Sequence, residues 1–196
     1  MTLTQKETEA LLVLFKDFAM HYNAHSLSKK LGITPRGTLK ILKNLQHQRL
    51  LTSKKFGKAV FYKVNLEDYY TFRTLETLLI AEARKNAARW LSEFKDLFPE
   101  VHIAIIFGSI LRDPEKAHDI DLLLVFTQNK LEKVKHFIAE KNKVLLKPVH
   151  PVMQSPQDLK MNLKKNDPVV LQAVARGQVL AGYTHLMEAV KDVTGF

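Results

Sequence analysis

Hydrophobic and polar positions along this chain follow a helical rhythm at first, then alternate in short runs, then merge into solid apolar blocks. Over residues 5–20 the apolar side chains are Leu11, Leu12, Leu14, Phe15, Phe18 and Ala19, which is helical spacing with a broad face to bury. A polar break follows at Tyr22-Asn23-Ala24-His25-Ser26. Leu27–Leu31 is then a short helical segment stopped by Gly32, a residue suited to the left-handed position after a helix. Thr34 has the side chain of an N-cap, and Pro35 fits a first helical turn, where a missing N–H removes nothing. The helix they open is expected from about Pro35 to His47. At about 100° per residue, Arg36, Lys40, Lys43 and His47 form one narrow stripe, with Leu39, Leu42 and Leu45 on another face. Two β-prone runs, Arg49–Lys55 and Lys58–Val64, flank Phe56-Gly57 and predict a hairpin with lysines near its tip.

From Asp68 to Phe98 the pattern predicts one long helix. Phe72, Leu75, Leu78, Leu79, Ala83, Ala87, Trp90, Leu91 and Phe94 lie on its apolar side, and Phe98-Pro99 ends it. So much apolar surface must be covered, either by both neighbouring domains or by a second copy of the helix, and Trp90 reads as core. Val101–Phe107 and Leu122–Phe126 are apolar blocks of the kind found in strands buried on both faces. Lys130–Lys141 reads as a charged helix burying Leu131, Val134, Phe137 and Ile138. Lys143–Met153 reads as a third strand, Ser155-Pro156 as a helix start, and Gln178–Gly182 as a closing strand. Neither an internal repeat nor a low-complexity linker interrupts the chain.

Composition narrows the class. With 46% hydrophobic and 26% charged residues in 196, the chain has a globular balance. The lack of cysteine excludes disulfides and thiolate metal sites and fits a reducing compartment. The first residues lack the order of a signal peptide and no apolar run is long enough for a bilayer, so a cytoplasmic protein without a membrane partner is expected. The net charge of +10 is unevenly spread. Residues 1–66 hold 12 Lys and Arg against Glu7, Glu9 and Asp17, whereas residues 67–196 hold 18 bases and 17 acids. A basic first third points to a polyanion, although a basic surface can also serve solubility alone.

The order of helix, helix-turn-helix and basic hairpin over residues 5–65 resembles a winged helix-turn-helix domain, most specifically from Leu27 to Asn65. The resemblance implies that double-stranded DNA is the partner, with the second helix of the turn in the major groove. It carries Arg36 and Lys40 to base edges and Lys43, Lys54, Lys55 and Lys58 to phosphates, which position without reading sequence. It also admits a homodimer, since DNA half-sites come in pairs. A domain used only for protein docking is the other reading.

Chemistry concentrates beyond residue 100. The block Val101–Phe107 ends in Gly108-Ser109, and nine residues separate this pair from Asp119-Ile120-Asp121, which runs into the next block. Gly108 permits close approach of a phosphate to the backbone, and Ser109 adds a hydroxyl and an amide. Aspartates at i and i+2 of one strand point to the same side and together offer hard oxygen ligands for Mg²⁺ (or Mn²⁺). This spacing resembles the motif of the DNA polymerase β-like nucleotidyltransferase superfamily, closest to its minimal members, over about residues 100–182. The resemblance implies NTP as substrate or ligand, Asp119 and Asp121 as metal ligands and catalytic acids, and Gly108, Ser109 and Arg112 as nucleotide contacts. The implied reaction moves a nucleoside monophosphate to a hydroxyl on a protein, small molecule or nucleic acid.

One departure tempers that expectation. Active relatives usually carry a third carboxylate on the strand expected at 143–153, and this stretch holds no acid. Asp158 lies beyond it near a helix start, where the helix dipole accounts for it. His150 could accept a proton but reads as a structural or solvent-facing histidine, and His118 as a loop residue. A transcription regulator that binds nucleotide without turnover therefore stands beside the enzyme, and an antitoxin-like module that modifies a protein partner is a third reading. The expected class is α+β: a winged helix in 1–66, a connector helix in 67–98, and a minimal nucleotidyltransferase domain with a mixed sheet in 99–196.

Overall fold

The computed structural model of the chain describes residues 2–194. The class is α+β, with a two-stranded and a four-stranded sheet. The chain divides into two compact units, one running through Leu78 and one from Leu79 to Val193.

In the first unit, α1 spans Gln5–Lys16, α2 Ala24–Leu31 and α3 Pro35–His47. Each has a built start. Thr4 and Glu7 form a capping box at α1, Asn23 and Ser26 form another at α2, and Thr34 caps α3 ahead of Pro35. Gly32 follows α2 at φ 64°, the left-handed conformation a glycine adopts without steric penalty. The apolar spacing expected through residue 20 outruns α1, which stops at Lys16; Phe18 and Ala19 fall in the turn beyond. Strands β1 (Leu51–Phe56) and β2 (Ala59–Val64) pair antiparallel, and Tyr22 bridges to Tyr62 as a short third partner. Leu11, Phe15, Leu27, Leu42, Leu45 and Leu50 are almost wholly buried and form the core of this unit.

The single helix expected over 68–98 is a series of shorter pieces. Helix α4 (Tyr69–Asn86) ends before Ala87, which leaves the helical region at φ −136°, ψ 25°. Helix α5 (Ala88–Glu93) follows, then a 3₁₀ segment, Lys95–Glu100, that contains Pro99. The periodicity hid this break because Ala87, Trp90, Phe94 and Leu97 still bury into one cluster. A bend of a single residue leaves the spacing of apolar positions almost unchanged.

In the second unit the sheet order is β5-β4-β3-β6, built from β3 (Ile103–Phe107), β4 (Ile120–Val125), β5 (Val149–Gln154) and β6 (Gln178–Ala181). Strand β3 pairs antiparallel with both β4 and β6, whereas β4 and β5 are parallel, joined through α6 (Leu131–Val144). One face of the sheet (Ala104, Ile106, Leu122, Leu124) packs into the cluster with Trp90, Phe94, Val134 and Ile138. Toward β3 and β5 come α7 (Pro156–Lys164), α8 (Pro168–Arg176) and α9 (Tyr183–Val193). Helices on both faces explain why β3 is buried at every position and reads as a solid apolar block. The strand expected from Lys143 begins only at Val149. Helix α6 continues through Val144, and Val144 and Leu146 stand in solvent at 73% and 98% exposure, so these apolar residues serve no sheet.

Candidate functional site

Strand β3 delivers the chain to Gly108, where φ is +85°. A Cβ there would fall on the Asp121 carboxylate, so this position requires glycine for its backbone conformation and for the space it leaves. Ser109–Leu111 then forms a 3₁₀ turn, and the Ser109 carbonyl accepts hydrogen bonds from the Arg112 and Asp113 amides, each at 2.9 Å. Pairing of β3 with β4 sets Asp121 opposite Phe107, the residue just before Gly108. Pairing of β4 with β5 sets His150 opposite Asp121. Asp119 lies immediately ahead of β4, at the same end of the sheet.

Together these registers bring Asp119, Asp121 and His150 to one point, with a potential ligand atom of each within 4.8 Å of the others. His150 Nδ1 lies 3.6 Å from Asp121 Oδ1, too far for a hydrogen bond; the imidazole is 72% exposed and the carboxylate 24%. Burial pushes the Asp121 carboxyl above the usual carboxylate range and the neighbouring Asp119 charge adds to this, against an opposing effect of His150. Two crowded carboxylates at a half-open sheet end are a natural seat for a divalent cation. The donor set fits one. The carboxylates suit Mg²⁺ and Mn²⁺ alike, and the imidazole suits the transition ion better.

The remaining residues sort plainly. Arg112 is exposed at the end of the 3₁₀ turn, and His118 is an exposed loop residue. Asp158 belongs to the capping box that Ser155 makes at the start of α7. His150 is solvent-facing, as the sequence indicates, but it also stands beside Asp121, which the sequence does not reveal. Lys147 also bears on the site. Its ammonium donates to the carbonyls of Pro114, Glu115 and Ala117 and so pins the loop that leads to Asp119. No pattern in the sequence marks that lysine, because its acceptors are backbone carbonyls some thirty residues away.

The first unit presents a separate basic surface. Arg36, Lys40 and Lys43 on α3, and Lys54, Lys55 and Lys58 on the hairpin, are all exposed, and among the described residues none is in an ion pair. Leu39 departs from the expectation: Leu42 and Leu45 are fully buried, but Leu39 is 36% exposed. With Thr34, Arg36, Gly37, Lys40 and Lys43 it lines a shallow depression of about 550 Å³. On the hairpin, Lys54 stands 5.3 Å over the exposed Phe56 ring. Burial pushes the Lys63 ammonium below its ordinary value and the charge of Lys54 adds to the effect, a sign of cations held close together.

No protein-family model and no curated protein matches this sequence. Among solved structures, ZitR of Lactococcus lactis, described as a zinc-responsive MarR family member, is 16% identical over 73% of this chain and 76% of its own, with a TM-score of 0.34. A mutant of ZitR in complex with DNA is 17% identical over 72% of this chain and 75% of its own, with a TM-score of 0.33. A TM-score of this size does not establish a shared fold. Among the described residues, no helix is long and apolar enough to cross a membrane.

Proposed function

We propose that this chain binds double-stranded DNA through its first unit and binds an NTP with a divalent cation at the Gly108-Ser109 and Asp119-Asp121 site of its second. The observation that carries the nucleotide half is the convergence of Asp119, Asp121 and His150 on the sheet end where Gly108 turns. Asp119 and Asp121 would hold Mg²⁺ or Mn²⁺, the Gly108 backbone would turn past the Asp121 carboxylate toward the phosphates, and Ser109 would donate to them. A cation bound there supplies positive charge to the triphosphate and to the departing pyrophosphate. In the reaction the resemblance implies, an acceptor oxygen forms a bond to the α-phosphorus and the bond to the bridging oxygen of pyrophosphate breaks. The DNA half rests on the exposed cations Arg36, Lys40, Lys43, Lys54, Lys55 and Lys58 and on the order of the elements that carry them.

Binding without turnover is the second reading, in which nucleotide tunes DNA binding. The observation that favours it is an imidazole, rather than a carboxylate, opposite Asp121. Pyrophosphate release separates the two. Wild-type chain with an NTP, Mg²⁺ or Mn²⁺ and duplex DNA is expected to release pyrophosphate, and Asp119→Asn with Asp121→Asn is expected to abolish release while preserving the far-ultraviolet spectrum. Release that survives the double substitution would overturn the metal assignment. Nucleotide bound with no release would exclude duplex DNA as the acceptor and favour the second reading.

A further inference from the structure

We propose that His150 completes, with Asp119 and Asp121, a mixed nitrogen–oxygen site that prefers a first-row transition cation such as Mn²⁺ to Mg²⁺. This rests on the reading of the second unit as a cation-dependent nucleotide site, and it names the cation and the third ligand. Three observations bear on it.

The position of His150 is fixed by the sheet. The parallel ladder pairs Ile120 with Val149, Asp121 with His150 and Leu122 with Pro151, so the backbone of His150 is held opposite Asp121. The side chain does no packing that would otherwise explain it, being 72% exposed. Nor is it hydrogen-bonded to its neighbour: the imidazole Nδ1 and the Asp121 Oδ1 stand 3.6 Å apart, a spacing at which both could bind a common third atom. The ligand atoms of all three residues lie within 4.8 Å of one another, a spread that a single ion at ordinary coordination distances can close with small side-chain rotations.

The donor set decides between metals. Mg²⁺ takes oxygen ligands almost alone and holds several waters, so a neutral imidazole gains it little. For first-row divalent ions, imidazole nitrogen is a favoured donor, and affinity at a nitrogen-containing site rises from Mn²⁺ toward Cu²⁺. Mn²⁺ also keeps the affinity for carboxylate and phosphate oxygens that a nucleotide complex requires. A carboxylate in place of His150 would make the site all oxygen and remove the preference. Gly108 closes against Oδ2 of the Asp121 carboxylate, whereas His150 stands beside Oδ1.

The test is Mn²⁺ titration of the full chain followed by electron paramagnetic resonance, with pulsed measurement of nitrogen modulation from a directly bound imidazole. Wild type is expected to bind Mn²⁺ with nitrogen modulation, and His150→Ala is expected to lose that modulation and to bind Mn²⁺ at least 10-fold more weakly, the minimum that loss of an outer-shell partner costs (roughly 10-fold). His150→Asp, which supplies an oxygen donor in place of the nitrogen, is expected to keep tight binding while the preference for Mn²⁺ over Mg²⁺ falls in competition. Mn²⁺ bound without nitrogen modulation, and unchanged in His150→Ala, would overturn the proposal while leaving the aspartate site in place. Mn²⁺ binding that persists in Asp119→Asn with Asp121→Asn, or that is absent from wild type, would overturn the site itself.

Discussion

At Glu7 a single carboxylate ties two helices together and shows how much one residue does here. It accepts from the Thr4 amide at 2.8 Å and the Thr4 hydroxyl at 2.9 Å, closing the capping box, while its other oxygen accepts from the Asn44 side chain on α3. Burial raises its pKa, but the hydrogen bonds from the Thr4 backbone, Asn44 and the Thr4 hydroxyl outweigh burial and leave it below the usual value of 4.5. A carboxyl depressed in the folded state contributes stability that is present above its unfolded value and lost as pH falls through its folded value. Glu7→Gln is therefore expected to destabilise the chain at neutral pH by about 1 kcal/mol, the ordinary scale of a capping loss. Urea unfolding should show this gap full above about pH 4.5 and narrowing below it. A gap independent of pH would show that the charge contributes nothing. Thr4 and Glu7 stand at the local spacing of a capping box, whereas Asn44 is 37 residues away and no local pattern connects it. The candidate site divides in the same way. Gly108, Ser109, Asp119 and Asp121 are close in sequence and show their chemistry together. His150 meets Asp121 only through a strand register, which no local pattern carries.

Among the elements, α3 is where amphipathicity was nearly sufficient. Its cap, its proline and its buried Leu42 and Leu45 follow from the pattern, yet Leu39 is left half in solvent. At 3.6 residues per turn Leu39 lies about 40° from Lys43 and about 60° from Leu42, so its face is nearer the cationic stripe than the core. An apolar side chain among exposed bases suits a DNA-reading helix, since apolar groups contact the thymine methyl. Arg36→Ala with Lys40→Ala is expected to weaken duplex binding by at least about 10-fold, at the lower end of the roughly 1–3 kcal/mol expected for each lost base contact. The slope of log affinity against log salt should also flatten. Fluorescence anisotropy across a salt series checks both, and unchanged affinity and slope would rule out α3 as the recognition element. Elsewhere the boundaries moved for one reason. Periodicity reports which residues are buried, and Ala87 and the Val144–Leu146 stretch keep the apolar composition of a continuing element while the backbone turns away from it.

Across the whole molecule, charge and chemistry are segregated along the chain. Most of the excess positive charge falls in residues 1–66, whereas the sheet of the second unit carries the aspartates at one end of two covered strands. Strands buried on both faces are the most legible elements of the chain because solid apolar blocks admit few other interpretations. Their order in the sheet was not legible. The parallel pairing of β4 with β5 depends on the crossover through α6, and that crossover is what brings His150 to Asp121. Calorimetric titration of the four NTPs, with and without divalent cation, into wild type and into Asp119→Asn with Asp121→Asn, tests the central claim most directly. Cation-dependent binding of at least one NTP, lost in the double variant, is the predicted result. NTP binding that ignores both the cation and the substitutions, or none under any condition, would contradict it.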